Sequence, residues 1–433
     1  MLKKLLNTLK TENVFLTGGA GVGKSYLAKE VISHYKNNSK HIVVLGSTGI
    51  SAVNIGGQTL HSFFSFGICS SLEELVANDK KNRKKIKELK ELLKSCDLIV
   101  IDEISMVSSN LLDMIKYRVQ STIFEGSFLF TGDFFQLPPI VKKFGVNNLF
   151  SKDLYAFQSS AWEFFDPVVI ELKDMKRTND KEFFHILKKV RMGQIDTEVI
   201  EYLIKLSKNS TVLKKEPTFL YGRNKEAIDT NANKLSQHGG KEVILNAEVS
   251  LHNKKASAKK IQSWKNSLPV NEELKLKIGV PVLFTSNKWG KFFNGERGIV
   301  KDIAKDSITI EKNGRDVKVE KQDFDLIEYE YSVNEEVKEN SLATMSQYPV
   351  KLAYAITIHK SQGMSIDKLV CNINNIFTPS QFYVAIGRAV NPNNLYIEYN
   401  REDLQNYLKR IINIDNRVKQ YYLKFTDLTH YNE

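Results

Sequence analysis

A glycine-rich segment near the amino terminus has the composition and spacing of a phosphate-binding loop. Gly18 to Ser25 fits the pattern G-x-x-x-x-G-K-[ST] and stands between the apolar run VFLT and the helical pattern YLAKEVISHY. Glycines let backbone N–H groups approach phosphate oxygens, and the start of a helix adds partial positive charge. Lys24 is expected to reach the β and γ phosphates, and the Ser25 hydroxyl to bind Mg²⁺. The predicted nucleotide contacts are Gly18, Gly19, Ala20, Gly21, Val22, Gly23, Lys24 and Ser25.

Two later segments supply the other groups that phosphoryl chemistry needs. Asp102 and Glu103 end the apolar run LIVI. Asp102 is expected to hold Mg²⁺ through water, and Glu103 to orient and deprotonate an attacking water. Gln136, in GDFFQLPP, has the reach to sense a γ-phosphate. Each feature alone has a simpler interpretation, as a strand end, a helix cap or a turn. In this order behind a phosphate loop, they predict one site for a nucleoside triphosphate with magnesium.

The charge balance favours a polyanionic partner. The chain has 433 residues and a net charge of +12, with 42% hydrophobic and 26% charged residues. This composition is ordinary for a globular protein of two or three domains. The positive excess indicates nucleic acid as the simplest partner, and a basic surface kept for solubility is the alternative.

Cysteine usage and the first residues predict an intracellular protein. Cys69, Cys96 and Cys371 are scattered without a CxxC spacing, which favours neither a disulfide framework nor a zinc site. The start, MLKKLLNTLK, has no apolar core long enough for a signal peptide, and no run approaches a membrane span. We therefore expect no membrane partner and a cytoplasmic location, associated with the nucleoid if the host is bacterial.

Short apolar runs indicate the elements that position these residues. NVFLTG, HIVVLG, DLIVIDE, SFLFTGD and VVIEL alternate with helical stretches, which is typical of parallel strands covered on both faces. A second set, PTFLYG, LVCNIN and NLYIEY, follows in the later part of the chain. Between them, closely spaced β pieces carry Asn-Gly at Asn294 and at Asn313, a strong hairpin signal. We predict a small antiparallel barrel inserted into a second α/β domain.

Further motifs give the chain a family resemblance. STGISAVNIGGQTLHSFF, LKDMKRTNDKEFFHILKKVRMG, AYAITIHKSQGMSID and QFYVAIGRA occur in this order. Together with the three segments above, they resemble the Pif (petite integration frequency) family of DNA helicases, in the RecD-like branch of superfamily one. The matching pieces run from Asn13 to about Ile397, so the resemblance covers nearly the whole chain.

The resemblance implies an α/β fold with two RecA-like P-loop domains, each built on a parallel sheet, and a small inserted Src-homology-three-like β-barrel. The first RecA-like domain is expected over residues 1–173, with a short strand-wedge insertion at about 60–78. The second is expected over 174–235 and 346–433, and the barrel over 236–345.

The resemblance also implies an ATP- and Mg²⁺-dependent motor that moves 5′ to 3′ on single-stranded DNA and unwinds duplexes in replication, repair or recombination. Arg177 and Arg388 would act on the γ-phosphate from the second domain, where such arginines contribute about 10³–10⁵ in rate. Gln362, in HKSQG, would bind the nucleotide and link it to DNA. The expected catalytic residues are Lys24, Glu103, Gln136, Arg177 and Arg388.

A strand-binding protein needs phosphate-facing donors and aromatic platforms for bases. By the resemblance, Thr59 and His61 would touch the strand, and a nearby aromatic ring would act as a wedge at the fork. For Phe63 and Phe134, burial in the core is an equally good interpretation. The residues expected to bind DNA are Thr48, Thr59, His61, Phe63, Phe134, Asn294, Thr357, His359 and Lys360.

Two positions depart from the family pattern. No glutamine precedes Gly18 to read adenine, which leaves adenine selectivity open, and Gly387 stands where a serine is usual. Other functions stay open as well: a P-loop phosphotransferase, or a DNA-stimulated ATPase or binding module that does not unwind. RNA stays open as the strand. We expect the free protein to be monomeric.

Overall fold

Five apolar runs of the first part of the chain form strands of one parallel sheet, as predicted. The structure is a computed structural model that describes residues 1–67, 69, 71–139, 154–252, 257–288, 291–331 and 337–424. The strands of this sheet are β1 (Val14–Gly18), β2 (Ile42–Gly46), β3 (Gln58–Thr59), β4 (Leu98–Asp102), β5 (Ser127–Thr131) and β6 (Val168–Leu172). Their order is β3-β2-β4-β5-β1-β6, and every neighbouring pair is parallel. β1, β2, β4 and β5 are buried along their whole length, as expected for strands covered on both faces.

Helices connect these strands and complete the core. They are α1 (Leu2–Thr8), α2 (Lys24–Asn37), α3 (Gly49–Ile55), α4 (Leu60–Phe63), α5 (Leu72–Asp79), α6 (Arg83–Lys94), α7 (Ser109–Gln120) and α8 (Ser160–Phe165). Leu5 of α1 and Val31 of α2 are fully buried in one apolar cluster with Leu16 and Val100 of the sheet. Ser108 fixes the start of α7 because its side chain accepts a hydrogen bond from the N–H of Leu111.

Within the described residues, the later part of the chain contains a second parallel sheet, a five-stranded antiparallel sheet and two smaller sheets. Its strands are β7 (Thr218–Tyr221), β8 (Val243–Asn246), β9 (Glu248–Leu251), β10 (Glu273–Leu276), β11 (Pro281–Phe284), β12 (Arg297–Ile303), β13 (Ile308–Lys312), β14 (Arg315–Val319), β15 (Gln322–Tyr331), β16 (Val337–Gln347), β17 (Val350–Leu352), β18 (Ala355–Thr357), β19 (Leu369–Asn372) and β20 (Leu395–Glu398). The parallel sheet has the order β18-β7-β19-β20 and contains all three apolar runs predicted for it. The parallel-sheet cores of the predicted α/β fold are therefore confirmed.

Four of the five strands of an antiparallel sheet lie in the region predicted to form a barrel, and the fifth, β17, lies directly after that region. Their order is β14-β13-β12-β11-β17, around an apolar cluster that includes Val282, Val300 and Ile310. The predicted hairpin at Asn313-Gly314 is confirmed: Lys312 pairs with Arg315, and both turn residues have positive φ, 52° and 77°. Closure of this sheet into a barrel remains a prediction.

The remaining helices follow the same alternation. They are α9 (Lys181–Arg191), α10 (Thr197–Ser207), α11 (Asn224–Gln237), α12 (Ala258–Ser267), α13 (Gln381–Ile386), α14 (Leu404–Ile411) and α15 (Asn416–Leu423). Within the described ranges, the helices are all too short or too polar to span a bilayer.

The structure divides the chain into two compact units. The first comprises the described parts of Met1–Lys173, Leu326–Leu342 and Asn416–Glu433, and the second those of Asp174–Asp325 and Ala343–Asp415. The sequence assigns 326–342 to the inserted barrel and 416–433 to the second RecA-like domain, so the domain division remains a prediction at these segments. Their grouping with the first unit has local causes. The Tyr329 hydroxyl accepts a hydrogen bond from the N–H of Val44 on β2, and Tyr421 of α15 stacks on Phe157.

Candidate nucleotide site and nucleic-acid interface

The predicted phosphate loop connects β1 to α2 in a conformation that depends on glycine. Gly18, Gly21 and Gly23 have φ values of 139°, 82° and 97°, a region that side chains disfavour. A Cβ at Gly18 would lie 2.4 Å from the carbonyl oxygen of Leu172. Lys24 Nζ donates hydrogen bonds to the carbonyl oxygens of Gly18 (2.7 Å) and Gly19 (3.0 Å). The lysine ammonium is therefore held over the loop that would surround a phosphate.

The acidic pair lies where β4 ends. Asp102 is 8% exposed and accepts a hydrogen bond from the Thr131 hydroxyl on the neighbouring strand β5. Burial raises the pKa of Asp102, and the bond from Thr131 together with the charge of Lys24 opposes that rise. Glu103 adopts a left-handed backbone conformation, with φ of 55°, which is unusual for a residue with a side chain. This turn directs the chain away from the sheet directly after Asp102.

Gln136 lies in the loop that follows β5. It is 5% exposed, and its N–H donates to the carbonyl oxygen of Asp133 at 2.8 Å. The side chain of Asp133 also accepts a hydrogen bond from the N–H of Phe135 at 3.2 Å. The two hydrogen bonds that Asp133 accepts therefore fold this loop into a tight turn.

The sheet brings these three segments to one edge. β5 lies between β4 and β1, and all three strands are parallel, so the segments that follow them leave from the same side. This edge collects the predicted phosphate loop, Asp102, Glu103 and Gln136. The Asp102 carboxylate and the exposed Ser25 hydroxyl are the hard oxygen donors that Mg²⁺ prefers. Among the described residues, no group of three or more His, Cys, Asp or Glu side chains could hold a metal. One carboxylate fits Mg²⁺, which commonly keeps waters and binds substrate phosphates.

The two predicted arginines occur together in the second unit. Arg177 Nε donates to the Ser365 hydroxyl at 2.8 Å, and its Nη1 donates to the Gly387 carbonyl at 2.5 Å. Arg388, the residue after Gly387, is 2% exposed and donates to the carbonyl oxygen of Val384 at 3.0 Å. Burial and the charge of Arg388 lower the pKa of Arg177 to about 9, so the Arg177 guanidinium stays charged at pH 7.

The late motif AYAITIHKSQGMSID contacts both Arg388 and the hairpin loop that carries Asn294. Arg388 Nη1 donates to the Ser361 carbonyl at 3.4 Å. A Cβ on Gly295 would lie 2.6 Å from the carbonyl oxygen of Ser365, so the two segments are in close contact. Within the described part of the chain, the Gln362 Nε2 and Asn294 Oδ1 atoms are buried without a hydrogen-bond partner. These two unsatisfied polar atoms lie on the late motif and on the loop that contacts it, which is compatible with a ligand at this position.

Thr48 and Thr59, both predicted to bind DNA, are helix caps. Thr48 accepts from the N–H of Ser51 at the start of α3, and Thr59 accepts from the N–H of Ser62 at the start of α4. His61 is exposed as a residue, but partial burial removes water from its ring and lowers the pKa of the imidazole. The side chain is therefore neutral at pH 7.

Phe63 and Phe134 are core residues in this structure. Phe63 is 5% exposed and contacts Phe64 and Tyr329, while Phe134 is 1% exposed and packs on Phe15. Neither ring offers a face to a base, which favours the core interpretation that the sequence left open. The predicted wedge region likewise buries Phe64 and Phe66 completely, since the two rings stack at 5.5 Å.

Thr357 ends β18, and His359 and Lys360 follow it directly. The Thr357 hydroxyl accepts from the N–H of Lys360 at 3.4 Å, and Lys360 is exposed. The His359 ring stacks on Phe377 at 6.4 Å, and burial lowers the pKa of His359.

Phe377 was missed by the sequence analysis. It is 58% exposed, and its loop is held by Gln381, whose side-chain oxygen accepts from the N–H groups of Phe377 and Thr378. The sequence NNIFTPS contains no period or motif that would single out this ring.

Comparison with known proteins identifies the family to which this chain belongs. A parallel sheet with a phosphate loop after β1 and an acidic end on β4, with β5 between these two strands, defines a P-loop nucleotide-binding protein. A family model described as PIF1-like helicase matches residues 2–201, and one described as Helicase matches residues 325–423. The chain is 42% identical to the ATP-dependent DNA helicase Pif1 of Campylobacter jejuni, over 99% of this chain and 98% of the relative. The chain therefore belongs to the PIF1-like helicase family.

Solved structures of relatives agree with this assignment. The crystal structure of Bacteroides sp Pif1 in complex with ADP-AlF4 gives a TM-score of 0.83 at 27% identity, covering 98% of this chain and 96% of that chain. Bacteroides Pif1 bound to ssDNA gives a TM-score of 0.63 at 26% identity, covering 98% and 96%.

Proposed function

We propose that this chain couples ATP hydrolysis to 5′-to-3′ movement along single-stranded DNA and to separation of duplexes. As a member of the PIF1-like helicase family, it is an ATP-hydrolysing DNA helicase. The observation that carries the proposal is the meeting of the phosphate loop, Asp102 and the Gln136 loop at one edge of a parallel sheet. The direction of movement derives from the motif resemblance.

In this proposal, the residues from Gly18 to Ser25 bind the triphosphate, and Ser25 and Asp102 hold Mg²⁺. The metal would supply charge neutralisation for the phosphate oxygens. Glu103 orients and deprotonates the attacking water, and Gln136 positions that water against the γ-phosphate. Lys24 binds the β and γ phosphates.

Arg177 and Arg388 are proposed to stabilise the charge of the transferring phosphoryl group. Their shared location, the burial of Arg388 and the lowered pKa of Arg177 support a cluster of positive charge suited to an anion. Gln362 is proposed to bind the nucleotide, and its buried, unsatisfied Nε2 supports a ligand at that position.

For the DNA strand, we propose contacts from Thr48, Thr59, His61, Asn294, Thr357, His359 and Lys360. Phe377 is added as a platform for a base, because it is exposed and stacks on His359. The antiparallel sheet is proposed to close as a Src-homology-three-like barrel, and the register shift between Val300 and Asp302 supplies the curvature that closure needs. The free protein is proposed to be monomeric and, in a bacterial host, associated with the nucleoid.

The test compares unwinding of matched duplexes that carry a 5′ or a 3′ single-stranded tail, made of DNA or RNA, with and without Mg²⁺. We expect ATP hydrolysis to rise on addition of single-stranded DNA, and only the 5′-tailed DNA duplex to be separated. The motor proposal fails if hydrolysis does not respond to DNA. A phosphorylated small product in the absence of DNA would establish the phosphotransferase alternative.

Lys24→Ala tests the nucleotide site. Loss of a positive charge aimed at the transferring phosphate should lower the hydrolysis rate by about 10²–10³-fold and abolish unwinding. Lys36→Ala removes an exposed lysine near the other end of α2 and should leave both activities unchanged. Unwinding by Lys24→Ala at the wild-type rate would show that the site is wrong.

A further inference from the structure

A tyrosine on the last described helix connects two segments of the nucleotide site. The Tyr422 hydroxyl of α15 forms a hydrogen bond with the Thr17 hydroxyl at 2.8 Å. The same hydroxyl accepts a hydrogen bond from the N–H of Phe134 at 3.2 Å. Thr17 is fully buried and directly precedes Gly18, while Phe134 stands two residues before Gln136. One oxygen atom therefore joins the strand that leads into the phosphate loop to the loop that carries Gln136.

Aromatic packing also holds the loop that carries Gln136. The Tyr422 ring stacks on Phe135 with centroids 4.5 Å apart and planes 20° apart. The adjacent Tyr421 contacts Phe134 edge-on at 5.4 Å and stacks on Phe157 at 4.4 Å. The two tyrosines thus hold Phe134 and Phe135, the dipeptide directly before Gln136.

We infer that Tyr422 is a positioning residue for ATP hydrolysis, which sets the place of Gln136 relative to the phosphate loop. It acts through Phe134 and Phe135 and not through contact with the nucleotide. This inference rests on the proposed function, because the position of Gln136 matters to hydrolysis only if the chain hydrolyses ATP. A displacement of a catalytic group by about 1 Å lowers rates by up to about 10²-fold, so one bond at this place has a measurable effect.

The alternative is that Tyr422 only anchors α15 by packing. Tyr422→Phe separates the two, because it keeps the ring on Phe135 and removes only the hydroxyl. Tyr421→Phe is the matched control: it makes the same chemical change on the same helix, and neither Thr17 nor the N–H of Phe134 bonds to its hydroxyl.

The experiment measures ATP hydrolysis by the full chain with saturating single-stranded DNA, the affinity for ADP and the thermal unfolding temperature. For Tyr422→Phe we expect kcat to fall about tenfold, with the KM for ATP and the ADP affinity within about twofold of wild type. Tyr421→Phe should keep the wild-type kcat. In a Gln136→Ala background, Tyr422→Phe should cause no further loss in single-turnover hydrolysis, because the group it positions is gone.

Two results would overturn the inference. One is a kcat for Tyr422→Phe within twofold of that for Tyr421→Phe. The other is a tenfold loss that persists in the Gln136→Ala background, since the hydroxyl would then act by another route. A wild-type protein that hydrolyses no ATP gives a different outcome, which refutes the proposed function and this inference with it.

Discussion

Two buried arginine sites show opposite ways of accommodating a guanidinium. In the first unit, Arg118 of α7 is 1% exposed and forms a two-pronged ion pair with Asp79, and its Nε donates to the Phe64 carbonyl at 3.0 Å. In the second unit, neutral oxygens of Ser365 and Gly387 are the partners of Arg177, and a second arginine, Arg388, lies close enough to lower its pKa.

The difference is compatible with the separate roles proposed for the two sites. An ion pair that is closed within the protein has its charge satisfied and serves to hold α5 to α7. Two neighbouring guanidinium groups, of which Arg177 is bound by neutral oxygens, suit the anion proposed for this position. Lys351 is a further basic residue of the second unit with a neighbouring cation: burial and the charge of Lys360 lower its pKa to about 7.

The largest expected effect comes from Arg177→Met. We expect hydrolysis to fall by about 10³–10⁵-fold, as for other arginines that act on a transferring phosphoryl group. The free energy of unfolding should change by no more than about 1 kcal/mol, because removing one of two neighbouring buried cations relieves repulsion and desolvation. Steady-state hydrolysis and urea unfolding on the same preparation measure both quantities.

Arg118→Met is the control for that experiment and should show the reverse. It leaves the Asp79 carboxylate without its cation, so the free energy of unfolding should fall by about 3–5 kcal/mol. The hydrolysis rate per folded molecule should stay near the wild-type value. Equal destabilisation by the two variants would erase the contrast between the sites.

A smaller effect separates the charge of Lys360 from the ring of Phe377 in DNA binding. Phe377→Ala should weaken single-stranded DNA binding by about tenfold, since stacking contributes roughly 1–3 kcal/mol per base, and should leave the salt dependence unchanged. Lys360→Met should lower the slope of log affinity against log salt by about 0.7, because one phosphate contact is lost. Titrations at several salt concentrations measure both. Phe164→Ala, which removes another exposed ring, should change neither.

The smallest effect concerns pH. Because the folded pKa of Lys351 lies near 7, below its ordinary 10.5, the unfolded chain binds a proton that the folded protein releases between these values. The free energy of unfolding should therefore rise with pH across this window. Lys351→Met should stabilise the protein by on the order of 1 kcal/mol below pH 7, and the gain should vanish near pH 10.5. Lys318→Met, at an exposed lysine on β14, should show no such trend.

Local patterns predicted the elements and the phosphate loop because their causes are local. Continuous apolar runs need burial on both faces, and Asn313-Gly314 can adopt the positive φ values of a two-residue turn. The burial of Phe63 and Phe134 could not be read from the sequence, since an aromatic residue serves a core and a base platform equally well. Tertiary contacts decided it.

Long-range pairings were also beyond the sequence. The hydrogen bond between Thr17 and Tyr422 joins residues 405 apart, and that between Val44 and Tyr329 joins residues 285 apart. No periodicity in the sequence identifies such a partner, so the domain bounds implied by the resemblance do not include these pairings of segments 326–342 and 416–424 with the first unit. The left-handed backbone of Glu103 is a further case, because glutamate carries no preference for it.

α15 belongs to the first unit although most of that unit is formed by residues 1–173, and this affects the order in which the unit can fold during translation. The ribosome releases the sheet strands of this unit early, yet Tyr422, whose hydroxyl bonds to Thr17 of β1, is made 405 residues after Thr17. Until α15 is synthesised, Phe134 and Phe135 lack the ring contacts of Tyr421 and Tyr422 and are accessible to chaperones. The candidate nucleotide site therefore gains its last hydrogen bonds from α15 only after that helix has been synthesised.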